Sequence, residues 1–163
     1  MPETRTRRAA AKDKKEGKSP STQAGEYVRE EIEHVREGKH GASSTRQAIA
    51  IGLSKARRDG VKLPAGKNAS TSTRKKAAQD EAASHKSRKP APKRSKATSK
   101  ALKKEGHEAA SKSALSAHAK RSASQRSATS RSTAAKQAAK TKGAAGRSEA
   151  AEKAAKTRAR KST

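Results

Sequence analysis

STRQAIAIGLSKARRDG (Ser44–Gly60) carries a helix start, an apolar face and a helix stop within seventeen residues. Ser44 and Gln47 stand at the spacing of a capping box, S-x-x-Q, in which the serine hydroxyl takes up an orphan backbone N–H. Ala48, Ile49, Gly52, Leu53 and Ala56 then recur at helical spacing and give that helix a sticky face. Asp59-Gly60 ends it. Val61 and Leu63, just before Pro64, are placed to fold back onto the helix.

Working towards the N-terminus, Ser19 suits an N-cap, and Pro20 suits N1, where a missing N–H does no harm. Ala24, Val28, Ile32 and Val35 follow at helical spacing. Gly38 is a good residue for the left-handed position after a helix, and the loop GKHGAS leads back to Ser44. Two helices joined this way make an αα-hairpin over residues 20–64. The segment holds every Val, Ile and Tyr of the chain, with eight Lys/Arg against six Asp/Glu. Forty-five residues lie near the lower limit for independent folding. Weak self-association through 20–64 is therefore an expectation.

The flanks read differently. Residues 1–19 have seven Lys/Arg, three acids and no periodic pattern, and read as a flexible basic arm. Residues 65–163 carry 27 Lys/Arg against 6 Asp/Glu, with Leu102 and Leu115 as their only large aliphatics and no aromatic. Ordering each residue costs roughly 1–2 kcal/mol of backbone entropy, and apolar burial has to offset it. The expectation is a largely disordered basic tail with transient Ala-rich helices, near Thr73–Ser84, Ser95–Glu105 and Glu108–Lys120. Lys89-Pro90-Ala91-Pro92-Lys93 reads as a stiff break. RSTAAKQAAKTK (Arg131–Lys142) recurs sixteen residues later as RSEAAEKAAKTR (Arg147–Arg158). Ser132 and Ser148 sit where N-caps belong, and each copy ends on basic residues, which a helix C-terminus favours. The fold class is mostly α.

The whole chain has 163 residues, a formal net charge of +27 and no cysteine, Phe or Trp. Without cysteine there is no disulfide frame, thiol nucleophile or Cys-based zinc site. The longest apolar run, Ala48–Leu53, is far too short to span a bilayer, and the tail has alanine where a membrane-surface helix needs bulky apolar groups. No membrane partner is expected. GKHGASS and EGKS do not complete G-x-x-x-x-G-K-(S/T). Glu30 and His34 are an i,i+4 pair with His40 in the next loop, but a structural or solvent-facing role is the expectation and no metal is assigned. No cofactor and no catalytic constellation is read, so the chain is not expected to be an enzyme.

A polycation that cannot bury itself is solvated or neutralised by a polyanion, which makes nucleic acid, above all double-stranded DNA, the leading partner. Solubility alone needs a net charge of only about 2–8 in a small domain. In the tail the candidate phosphate contacts are Lys136, Lys140, Lys142, Arg147, Lys153, Lys156, Arg158, Arg160 and Lys161. In the hairpin they are Arg46, Lys55, Arg57 and Arg58. The tail has no aromatics to stack on bases and no base-reading motif. The first hairpin helix carries Glu26, Glu30, Glu31, Glu33 and Glu37, which phosphates repel, and the loop is longer than a helix-turn-helix uses. Binding with little sequence preference is expected.

His40–Pro64 resembles a bacterial domain family of unknown function with the core S-x-x-Q-A-I-A-I-(A/G)-L-S-x-A-R-(K/R)-x-G, matched here from Ser44 to Gly60. The preceding PSTQAGEYVREEIEHVREGKHG resembles the same small basic proteins, often labelled DNA-binding or plasmid stabilisation. The resemblance covers about residues 19–64 and implies a DNA-associated protein with no catalytic residues to carry over. The tail resembles linker-histone-like tails rich in Ala and Lys. Together these point to a histone-like, nucleoid-associated DNA-binding protein of the cytoplasm that neutralises phosphates and compacts the duplex. The alternatives are an RNA- or ribosome-associated basic protein, or a plasmid-stabilisation or antitoxin-like module in which the hairpin binds another protein.

Overall fold

A computed structural model describes residues 2–66, 69–85 and 91–161. Among them the chain is helical with no strand. The elements are α1 (Thr4–Lys15), α2 (Pro20–Arg36), α3 (Thr45–Arg58), α4 (Thr71–Ser84), α5 (Pro92–Lys103), a 3-10 turn (Glu108–Ala110), α6 (Lys112–Ser124) and α7 (Ala128–Lys161). They fall into two compact units, residues 1–118 and 119–163.

The hairpin forms where the sequence places it. Ser19 Oγ accepts from Thr22 N, with Pro20 at the first helical position. Past Glu37, Gly38 takes φ 73° and Lys39 N bonds the His34 carbonyl at 3.0 Å, closing α2. Ser44 Oγ accepts from Gln47 N at 3.2 Å. The reciprocal half of the capping box is shifted by one residue: Gln47 Oε1 accepts from Ser43 N at 2.7 Å and from Ser43 Oγ at 2.6 Å. Gly60, at φ 94°, ends α3 as expected.

α2 and α3 run antiparallel, since Tyr27 meets Asp59 while Glu31 meets Lys55. The face of α3 that meets α2 is small: Ala48, Gly52 and Ala56 are buried, whereas Ile49, Ile51 and Leu53 are only half-buried. At Gly52 a Cβ would lie 2.7 Å from Val28 Cα and 3.0 Å from the Tyr27 carbonyl. The helices therefore touch backbone to backbone. Two apolar clusters flank this crossing. Ala10, Ala24, Tyr27, Ala56 and Val61 form one, with Leu53 and Leu63 against it. Ile32, Val35, Ala42, Ala48 and Ala110 form the other, with Val28, Ala109 and Leu115.

Both flanks depart from expectation. The arm is not flexible but folds as α1. Its inner face, Thr6, Ala10 and Asp13, is buried at helical spacing. Arg7 reaches Asp59 through Nη2 (2.7 Å to Oδ1) and Nε (3.1 Å to Oδ2), and Asp59 also accepts from the Tyr27 hydroxyl. One carboxylate thus ties α1, α2 and the end of α3 together. Lys18 pairs with Asp13 at 2.7 Å and Glu16 at 2.8 Å; those hydrogen bonds push its pKa upward and keep the ammonium charged.

The described part of residues 65–163 is likewise helical rather than disordered. α4 packs on α3 through Ala77 and through Asp80, which is 1% exposed. Asp80 accepts from Ser54 Oγ (2.7 Å), Arg58 Nε (3.2 Å) and Lys76 Nζ (3.0 Å). Further on, residues 102–115 close around the loop after α2. Gly41 N bonds the Leu102 carbonyl at 2.9 Å and Ala42 N the Gly106 carbonyl at 3.0 Å. Thr45 Oγ1 donates to the Ala109 carbonyl at 2.7 Å and Arg36 Nε to the Ala110 carbonyl at 2.8 Å. These attachments use alanines, carbonyls and one buried aspartate, so counting bulky apolar residues did not reveal them. Of the proposed stiff break, Lys89 and Pro90 lie outside the described residues.

In the second unit α7 breaks at Gly143, whose φ of 69° and ψ of 173° are not helical. Each copy of the sixteen-residue repeat falls on one side of that break. Ser132 and Ser148 lie inside the helix rather than at its caps. The first half is capped earlier, where Ser127 Oγ accepts from Ser130 N at 3.1 Å.

Candidate nucleic-acid interface

Residues 119–163 contain thirteen Lys/Arg against two Glu, and no Val, Ile, Leu or aromatic residue. Among the described residues none in this unit is buried. Lys136, Lys140 and Lys142 are exposed on the first half of α7, and Arg147, Lys153, Lys156, Arg158 and Arg160 on the second. Lys161 ends α7, and its side chain lies outside the described residues. The exposed faces of both halves offer cations at every turn or two.

The hairpin cations have other duties. Lys55 is half-buried, with its ammonium on Glu31 and 3.7 Å from Glu30 Oε1. Both carboxylates are buried, Glu31 completely, so Lys55 balances internal charge. Arg57 is half-buried and donates from Nε to the Leu63 carbonyl at 2.8 Å, which pins the segment after α3. Arg58 bonds Asp80 yet keeps its side chain 52% exposed. Arg46 is exposed. Of the four, Arg46 and the outer part of Arg58 face solvent.

The acidic face of α2 is thinner than its sequence suggests. Glu30 and Glu31 turn inward, while Glu26 pairs with Arg29 and Glu37 with Lys39. At the C-terminal end of that row Glu3 lies 2.9 Å from His34 Nε2 and 3.2 Å from Lys39 Nζ. The His34 contact, then Lys39, holds the Glu3 carboxyl below its usual range, and Glu37 and Glu3 hold Lys39 above its own.

The sequence places a transient helix near Ser95–Glu105, but the cations of α5 are not among the candidate contacts. This helix buries no residue and leaves Lys93, Arg94, Lys96, Lys100 and Lys103 exposed. Their composition matches that of the tail cations that were singled out, so composition was the available signal.

Residues 5–67 match a family of unknown function (DUF6496). The matched region starts at Arg5, so it takes in α1 as well as the hairpin, in keeping with the packing of α1 on α2. Neither a curated protein nor a solved structure matches the chain. Among the described residues no helix is long and apolar enough to cross a membrane.

Proposed function

We propose that this chain binds double-stranded DNA with little sequence preference and acts as a histone-like, nucleoid-associated protein. The observation that carries this reading is the second unit: thirteen cations, two acids and no buried described residue. Each Lys or Arg that meets a phosphate releases condensed counterions, so binding is driven by salt release rather than by base contacts. The exposed cations of α5 and Arg46 extend the same chemistry. In this reading the first unit is a compact scaffold whose buried acids are paired and whose cations outnumber its acids by sixteen. Phosphate neutralisation along the tail lowers the repulsion between duplex segments and favours compaction.

The test is a fluorescence anisotropy titration of the full chain with a random-sequence duplex across a salt series. Affinity should fall steeply and linearly on a log–log plot, with the same slope for unrelated duplexes. A structured RNA competitor that displaces the duplex at equal or lower concentration would replace DNA with RNA as the partner. Failure to bind either polymer at low ionic strength would remove the proposal.

A further inference from the structure

The loop that joins α2 to α3 brings two histidines onto a buried carboxylate. Glu31 is 0% exposed. His34 lies on the next turn of α2, His40 in the loop, and both are largely covered. One ligand atom from each of the three falls within 4.8 Å of the other two. The sequence suggested Glu30 as the acid beside these histidines; the fold supplies Glu31 instead.

His40 Nδ1 lies 3.0 Å from the Gly41 carbonyl. A carbonyl only accepts, so Nδ1 carries the hydrogen. His40 Nε2 lies 3.1 Å from Glu31 Oε1. With Nδ1 already protonated, Nε2 of a neutral ring keeps a free lone pair close to Oε1. Oε1 has no hydrogen-bond partner and is buried. A cation bound by both atoms would satisfy them together. Lys55 does not supply it, because its ammonium is on the other oxygen, Oε2. Lys55 is also one positive charge against two buried carboxylates, Glu30 and Glu31.

A proton on Nε2 would need one acceptor only, and His34 would have no part in it. The second imidazole is what distinguishes a metal site. His34 stands edge-on to His40, with ring centroids 6.1 Å apart and planes at 85°. Each ring also has a partner on another of its atoms: Gly41 carbonyl for His40, and Glu3 Oε1, 2.9 Å from Nε2, for His34. Metal-binding histidines are oriented by such outer contacts. A tetrahedral zinc with bonds of about 2.0–2.1 Å spaces its ligand atoms by about 3.3 Å, close to the His40–Glu31 separation.

The geometry points to a divalent-metal site formed by Glu31, His34 and His40, with a nitrogen- and oxygen-donor set suited to zinc. The ion joins α2 to the loop before α3 and neutralises the surplus buried charge; solvent completes its coordination.

The full chain, stripped by a chelator, is titrated with zinc by calorimetry. One ion per chain is expected. His34→Ala and His40→Ala should each weaken binding at least about tenfold, as loss of a ligand does, and Glu31→Gln likewise. His107→Ala, on an exposed residue, should leave it unchanged. Zinc uptake equal in wild type, His34→Ala and His40→Ala would overturn the assignment, as would no uptake at all, the result expected if Nε2 carries only a proton. Cobalt added to the wild-type chain gives a reading that needs no variant to fold: intense visible bands of a tetrahedral ion support the site, and the weak spectrum of hydrated cobalt overturns it.

Discussion

Residues 1–118 and 119–163 are both rich in cations, but only the first builds some of them into its packing. In the first unit thirteen acids hold part of the twenty-nine cations in the fold. Arg7 is on Asp59, Lys18 on Asp13, Lys55 on Glu31, and Arg58 and Lys76 on Asp80. In the second unit thirteen cations share two glutamates, and the described ones are exposed. Positive charge becomes architecture where an acid is within reach and a helix face of alanine or glycine lets backbones approach. Elsewhere it remains available to an external polyanion.

The sharpest way to break this contrast is to remove one side of it. A chain ending at residue 118 should keep the helical signal and unfolding transition of the first unit. It should bind duplex DNA at least about 100-fold more weakly near 100 mM salt, with a flatter salt dependence, because each lost phosphate contact removes about 0.9 from the log–log slope. An unchanged slope would place the interface in the first unit.

Next in size is Gly52→Ala. The added Cβ would meet Val28 Cα at 2.7 Å, and backbone cannot swing aside as a side chain does. Overpacking of this kind costs about 2–3 kcal/mol, seen as a lower thermal midpoint by circular dichroism. DNA affinity of the folded variant should hardly change.

Asp80→Ala probes the seam where the polar tail joins the core. It removes the acceptor for Ser54, Arg58 and Lys76, two of which keep most of their side chains in solvent. After that discount the expected loss is about 1–2 kcal/mol. Limited proteolysis should cut near α4 sooner than in wild type, since its attachment to α3 opens first. Equal cleavage rates would mean that α4 is held by something other than Asp80.

The hairpin was legible because its signals are local: Ser19-Pro20, Gly38, the Ser44 cap and Asp59-Gly60 each act within a turn of themselves. The use of Ala48, Gly52 and Ala56 as the contact face was less so, because Ile49, Ile51 and Leu53 look stickier. α1 and the attachments of residues 70–115 were not legible. They rest on Arg7–Asp59, on Asp80 and on carbonyls at Leu102, Gly106, Ala109 and Ala110, partners distant in sequence that no periodicity announces. In the candidate interface composition identified the cations but not their occupation, so Lys55 and Arg57 were read as phosphate contacts although the fold uses both.

The smallest effect falls on the junction between arm and hairpin, and a single chromophore reports it. Tyr27 is the only tyrosine and the chain has no tryptophan. It is 2% exposed and donates its hydroxyl to Asp59. Burial first, then that hydrogen bond and the aspartate's charge, push its pKa well above the ordinary 10.0. A raised folded pKa means that the contribution to stability is fully present below pH 10.0 and is lost as pH rises through the folded value. Absorbance near 295 nm should therefore show tyrosinate forming later in the native chain than in urea, where titration returns to near 10. If both states titrate together, Tyr27 is in water. The cover given by Ala10 and the Arg7–Asp59 pair would then be absent, and the arm would belong with the solvated charges of the second unit rather than with the paired charges of the first.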